Sequence, residues 1–420
     1  MQKYYFSFFS LIILLFNHLL EAKKLKIQSL MPSDNLAPER FRSKHWLNAH
    51  TWFKIHPLVE ILADEPNITF LEVVPRIQFD YSNFEISLKF PNKGVFDELF
   101  MLFIPNGRVQ GERGYVFIKE QLPDEMARGD RFECLQDIPK IKDVDVKKVT
   151  GRVAVIAQHG ADKQFANYYH WMCEVLGRLA MLEIAGVEYD WLYVGASKKF
   201  MKETLELWGV DFSKIIEPKD SNFCIQADQL IVPSLVINTS CGHKHAGNFQ
   251  HPVILQYVKT KLFEAVQKQN IDISRFSKRV FISRKDAYNS RKIVNEDEIF
   301  ELFEKKGFRR YELSKMSVAE QIMLMHNAEI VASEQGSGLV NILYCKQGTK
   351  VIEIFQALID NCFWLISQVM QLEYIPIKTL PVDADYFADW RDKNFTLLYK
   401  AFGAQIKVPL DNIKKVVESL

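Results

Sequence analysis

The chain has 420 residues, 48% of them hydrophobic and 25% charged, with a formal net charge of +1. That length holds two domains of ordinary size, and the composition is globular. The charge balance excludes a large nucleic-acid footprint, which needs a concentrated basic face, so no nucleic acid is expected as a partner.

The first element is an almost wholly apolar run from Tyr4 to Leu20, followed by a small-residue site at Leu20-Glu21-Ala22. Residues 1–22 therefore read as a signal peptide or a membrane anchor, which implies the secretory pathway or membrane association through the N-terminus. Lys23, Lys24 and Lys26 complicate both readings, since such a flank is normally held in the cytoplasm. Residues 25–150 form an N-terminal extension of unclear fold, in which alternating runs such as Ile77–Phe90 suggest strands. From Val153 the pattern sharpens. It predicts a strand at Val153–Ala157, a helix from about Asn167 to Ile184, and a strand at Trp191–Val194. A helix at Lys199–Leu207 and strands near Ile215 and Gln229–Val232 follow. A polar loop at 235–252 separates this unit, 151–250, from a second one spanning 251–400, and 401–420 is left as a C-terminal tail.

The second unit begins with a buried strand, Val280–Ser283, that runs into a basic loop. A helix with Ile299, Leu302 and Phe303 on one face ends at Gly307, a left-handed cap position. A strand near Tyr311–Leu313 and the capping box Ser317-x-x-Glu320 introduce a second helix. A strand at Ile330–Ala332, a Gly-x-Gly turn at Gly336–Gly338, a third helix and the strand Lys350–Phe355 complete the unit. Asn361–Leu372 has helical periodicity and is expected to pack back towards the first unit. Strand and helix alternate without a hairpin signal, so the fold class is α/β and the sheet parallel. Ligands of such sheets bind beyond the carboxyl ends of the strands, where the basic loop and the Gly turn lie.

Three groups of residues carry chemistry. In Asn167-Tyr168-Tyr169-His170-Trp171-Met172-Cys173-Glu174, a helix start puts His170 and Glu174 on one face. Such a pair removes a proton at a cleft, or is a buried histidine tied to a structural carboxylate. The loop Ser283-Arg284-Lys285-Asp286, with Arg291 and Asn295 beyond, suits a diphosphate because guanidinium binds phosphate oxygens in a bidentate way. The alternative is a solvated surface loop. In Ser333-Glu334-Gln335-Gly336-Ser337-Gly338-Leu339, glycines permit close backbone approach, and N–H groups opening a helix hold phosphate. Asn341 stands where a dinucleotide fingerprint has its third glycine. Cys241-Gly242-His243-Lys244-His245 fits no standard zinc spacing, and the six cysteines form no CxxC pair, so mostly free, buried thiols are expected, with one or two bridges in an oxidising compartment as the alternative.

Taken together, the blocks Asn167–Trp171 with Glu174, Ile282–Lys285 through Arg291–Glu296, and Gln335–Asn341 resemble those of glycosyltransferase family 61. Gly348-Thr349-Lys350-Val351-Ile352-Glu353 resembles the strand that follows. The resemblance implies a GT-B-like fold of two Rossmann-like domains facing a cleft, the first on the acceptor side and the second binding the donor. It implies transfer of a sugar, with inversion, from a nucleotide sugar, expected to be UDP-linked, to a glycan or polysaccharide. No cofactor and no obligatory metal are implied. Arg284 and Arg291, assisted by Lys285, would bind the diphosphate; Glu334, Gln335, Gly336, Ser337 and Gly338 would contact the nucleotide, with Asn295 in the same block. His170 or Glu174 would take the acceptor's proton. Gln335 replaces a histidine common in relatives, and a catalytically inactive nucleotide-sugar or glycan-binding protein of the same fold is the alternative.

Overall fold

The computed structural model describes residues 55–56, 62, 65–80, 93–118, 122–123, 144–158, 161–163, 166–238, 249–287, 293–355, 361–378 and 407–420. The apolar run at the N-terminus, Arg291 and Cys241–His245 lie outside the described residues. Among those described, no helix is long and apolar enough to cross a membrane.

The first sheet has eight strands. These are β1 (Thr69–Val74), β2 (Leu99–Pro105), β3 (Arg108–Gln110), β4 (Tyr115–Phe117), β5 (Val146–Val155), β6 (Trp191–Tyr193), β7 (Ile215–Ile216) and β8 (Cys224–Pro233). They run in the order β7-β6-β5-β8-β2-β1, with β3 beside β8 and β4 beside β3. The pairs from β7 through β8 are parallel, and β8–β2, β2–β1, β8–β3 and β3–β4 are antiparallel. Residue 150 thus falls inside β5, and strands from the stretch 25–150 extend the same sheet. β2 is buried on both faces, which is why its sequence, LFMLFIP, is a continuous apolar run without alternation.

The second sheet is wholly parallel, as the alternation of elements predicts. Its strands are β9 (Arg279–Ile282), β10 (Arg309–Tyr311), β11 (Ile330–Glu334), β12 (Lys350–Ile354) and β13 (Glu373–Ile377), in the order β10-β9-β11-β12-β13. The order reverses between β9 and β11, which makes their carboxyl ends the switch point where such sheets bind ligands.

Helix α1 is built of Tyr168–His170, a single wide π turn at Trp171–Val175, and Leu176–Ile184. It is followed by α2 (Lys199–Trp208), α3 (Pro252–Gln267), α4 (Glu296–Glu304), α5 (Val318–Asn327), α6 (Cys362–Met370) and α7 (Leu410–Glu418). The predicted capping box closes at Ser317 and Glu320, and Gly307 takes its left-handed turn at φ +81°. The third helix of the second unit is 3-10, Ser337–Tyr344.

Strand alternation sends successive side chains to opposite faces. Met101, Ala154 and Ile231 from the first sheet join Val280, Val331 and Val351 from the second in one apolar cluster with α1, α3, α5 and α6. The other face of the first sheet packs Phe100, Leu102, Val153 and Leu230. The far face of the second packs Phe281, Ala332 and Ile352 against α4 and α7. The two sheets therefore share a central core. α6 reaches α1 through Phe363 and Tyr169, whose rings meet edge to face at 5.7 Å. The four described cysteines are buried thiols.

Candidate active site

A cleft of about 380 Å3 opens between the carboxyl ends of β9 and β11 and the starts of α1 and α2. From the first sheet's side it is walled by Tyr168 and Phe200, in edge-to-face contact at 5.1 Å, and by Glu203. From the second it is walled by Ser283, Arg284, Ser333 and the turn Gly336–Gly338. Two bonds tie the walls together. Tyr168 donates its hydroxyl hydrogen to Asn341 Oδ1 at 2.9 Å, and Glu203 Oε2 accepts from the backbone N–H of Val318, the first residue of α5, at 2.9 Å. A carboxylate at that place also offsets the positive end of the helix dipole.

Arg284 is the buried cation of this cleft, which the exposed Lys199 also lines. The loop after β9 is shaped by Glu296 on α4, whose carboxylate accepts from the Ser283 hydroxyl at 2.7 Å and from the Arg284 N–H at 3.0 Å. The Arg284 side chain is 9% exposed, with Nε 3.9 Å from Glu334 Oε2, and it lies directly over Gly336. A Cβ at Gly336 would stand 1.5 Å from Arg284 Nη1, so only glycine leaves room for the guanidinium. Gly336 itself is extended (φ 179°), and its value is the missing side chain. Ser337 and Gly338 open the 3-10 helix, whose first N–H groups have no carbonyl of their own helix to bind.

The other sequence-predicted residues spread out. Lys285 turns to the surface, where it bonds Asp297 at 2.6 and 2.7 Å beside Arg310. Those hydrogen bonds, Lys285's first, hold the Asp297 carboxyl below its ordinary range. Asn295 pairs through both ends of its amide with the backbone of Val408, each bond 2.9 Å long, and so fastens the chain before α7 to α4. Glu334 is buried at the end of β11 and accepts from Ile293 N–H at 3.3 Å. Gln335 joins β12 through its N–H, 3.0 Å from Ile354 O, with its side chain buried.

His170 and Glu174 do come together, but behind the cleft wall that Tyr168 forms. Nδ1 of His170 lies 2.5 Å from Glu174 Oε1, and Gln158 Nε2 donates to Glu174 Oε2 at 2.7 Å. Beneath them the buried Arg178 donates to Ala157 O at 2.9 Å. Asn167 caps the helix start, accepting from Tyr169 and His170 N–H at 2.9 and 3.4 Å.

With both sets of residues in place, comparison with known proteins finds one family description, Glycosyltransferase 61, matching residues 168–352. That segment belongs to the glycosyltransferase 61 family. No curated protein matches the chain. The glycosyltransferase segment runs from the first turn of α1 into β12, so it takes in His170, Glu174, Arg284 and the Gly turn. Sequence reasoning left two residues that bond to these groups without a role. Glu296 sits in the block that carries the family likeness, and an acid directly after a helix-start asparagine was its only signal. Gln158 lies before the matched segment in a loop with no pattern, and nothing in the sequence points to it.

Proposed function

We propose that the protein transfers a sugar from a nucleotide-sugar donor, UDP-linked, to a glycan or polysaccharide acceptor with inversion at the anomeric carbon. One observation carries this reading. Arg284 lies over Gly336 at the switch point of the parallel sheet, inside a cleft closed on its other side by Tyr168 of α1 and by Phe200 and Glu203 of α2. A buried guanidinium beside the free N–H groups of a helix start is a site for a diphosphate. As the bond from sugar to phosphate breaks, negative charge grows on the leaving diphosphate. A fixed cation in a site closed from water stabilises that charge more than water does. The scheme needs no metal, because Arg284 and the backbone at Ser337–Gly338 supply the positive potential. The His170–Glu174 pair, at the start of α1, serves the acceptor side, where a hydroxyl must lose its proton as it attacks.

A thermal-shift screen against a panel of nucleotide sugars identifies the donor, and calorimetry then compares wild type with Arg284→Ala. Two charge-assisted bonds are worth about 3 kcal/mol together, so the variant is expected to bind about 100-fold more weakly. Unchanged affinity would refute the site. Tight donor binding without turnover on any acceptor would favour the inactive binding protein instead.

A further inference from the structure

We propose that Asn167, Phe200 and Glu203 form the acceptor subsite of this cleft, and that it takes an uncharged sugar ring at the end of a glycan. The inference rests on the transferase reading above and narrows the class of acceptor.

Inversion sets where an acceptor can stand. The attacking hydroxyl must reach the anomeric carbon from the face opposite the departing diphosphate. With the diphosphate against Arg284 and Gly336–Gly338, that face looks toward the wall built by the starts of α1 and α2. Asn167, Tyr168, Lys199, Phe200 and Glu203 line the cleft there.

The polar atoms of this wall are mostly engaged, and two are left over. Tyr168 spends its hydroxyl hydrogen on Asn341 Oδ1 at 2.9 Å. Asn167 Oδ1 accepts from the N–H groups of Tyr169 and His170 at 2.9 and 3.4 Å, which fixes the way its amide faces. Its Nδ2 then remains a donor with no partner among the described residues. Glu203 Oε2 accepts from Val318 N–H at 2.9 Å. Beside Glu203 Oε1 stands the ammonium of Lys199, at 3.5 Å and on a side chain 71% exposed. Such a surface pair is weak, and an incoming hydroxyl opens it at little cost. The wall thus offers one donor and one acceptor. Sugar hydroxyls do both, so two hydroxyls of one ring satisfy the pair.

Phe200 supplies the apolar contact. Its ring is held edge to face by Tyr168 at 5.1 Å and by Trp171 at 6.2 Å. Trp171 Nε1 donates to Thr204 Oγ1 at 2.8 Å, so α1 and α2 fix the ring between them. The C–H groups of a pyranose carry small positive charge and pack on the negative face of an aromatic ring. A ring already fixed loses little freedom when the guest arrives. Glu203 also decides the guest's charge. A uronic or sialic carboxylate would meet a like charge inside the cleft, a costly juxtaposition. Lys199 offsets little of it, because an exposed ammonium is screened by salt.

Full-length protein, with the donor found by the thermal-shift screen, is tested on p-nitrophenyl hexosides and the matching glycuronides. Wild type is expected to transfer to a hexoside with kcat/KM about tenfold or more above that of its glycuronide. Transfer to neither, or to both alike, overturns the proposal. Asn167→Ser keeps a capping oxygen at the helix start and removes Nδ2. Glu203→Gln keeps an oxygen for Val318 N–H and puts a donor in place of the other. Each is expected to raise the hexoside KM about tenfold or more, with the donor Kd from calorimetry unchanged. Glu203→Gln should also narrow the gap between hexoside and glycuronide, since the repelling charge is gone. Phe200→Leu, which keeps apolar bulk without the ring, should raise the same KM about threefold to tenfold. Melting temperatures like that of wild type show that the variants fold. A hexoside KM unmoved in these variants overturns the proposal. So does a weakened donor Kd beside an unmoved KM, which would give this wall to the donor's own sugar. Failure of wild type to bind any nucleotide sugar would sink the transferase reading instead. Saturation-transfer NMR with the hexosides alone would still decide the subsite: signals present in wild type and lost in Glu203→Gln support it, and signals absent from both or equal in both overturn it.

Discussion

Gly336→Ala tests whether the space above the Gly turn matters as much as the charge that fills it. The added Cβ would lie 1.5 Å from Arg284 Nη1, 2.6 Å from Cζ and 3.1 Å from Cδ. Ordinary contact is about 3.5 Å or more, so the guanidinium must move by about 2 Å. A shift of that size takes a hydrogen bond from its usual length to no bond. Both charge-assisted bonds to a diphosphate are then lost, at about 1.5 kcal/mol each, and Kd rises about 100-fold. The fold survives the change. Alanine adopts the extended backbone of Gly336 without strain, and the clashing group is the end of a flexible side chain. We expect a stability loss of about 1 kcal/mol, from the Glu334 carboxylate losing its cation, and a melting temperature lower by about 2–4 °C. Calorimetry with the donor and a thermal melt measure both. Introduced into Arg284→Ala, the same substitution should weaken binding no further. Donor affinity like that of wild type, or a full further loss in the Arg284→Ala background, would refute the account of Gly336.

Glu296→Gln keeps shape but leaves one of the Ser283 and Arg284 donors facing an amide N–H, at a cost of about 1–3 kcal/mol. It should weaken donor binding although Glu296 does not line the cleft, and unaltered binding would remove it as the organiser of the loop. His251 predicts acid sensitivity. Its ring is buried near Phe96, at 5.5 Å between centroids, with neither nitrogen bonded, and burial pushes it from 6.5 down to about 3. Between those values the unfolded chain binds a proton that the folded chain does not. Stability contributed by the neutral ring is therefore present above about pH 6.5 and is lost as pH falls, by up to about 1.4 kcal/mol per unit. His251→Phe should flatten the fall in denaturation midpoint between pH 6.5 and 4; an unchanged slope would mean that other groups drive it.

The residues of the second sheet were legible because their signals are local. Alternating strands and helices, a capping box and a Gly at a left-handed turn each act within one or two turns of chain, and they took the predicted form except that the third helix is 3-10 and the strand expected near Tyr311–Leu313 ends at Tyr311. The basic loop and the Gly turn were placed at strand ends by the same local logic, and the structure brings Arg284 onto Gly336. The single residues were harder. Lys285 and Asn295 have the right chemistry for a phosphate, yet one finds Asp297 on the surface and the other the backbone of Val408, 113 residues away. Nothing in a linear reading ranks those partners above a ligand.

The sequence by itself determined the α/β class, the parallel sheet and the kind of group each strand end would offer, because periodicity and capping depend on neighbours in the chain. Tertiary structure alone decided that β1–β4 complete the first sheet, that Gln158 meets Glu174 and Glu296 holds the Arg284 loop, and that Lys285 and Asn295 find partners of their own. Those outcomes turn on which buried donor finds which acceptor, and a buried polar group must be satisfied by whatever the fold brings beside it.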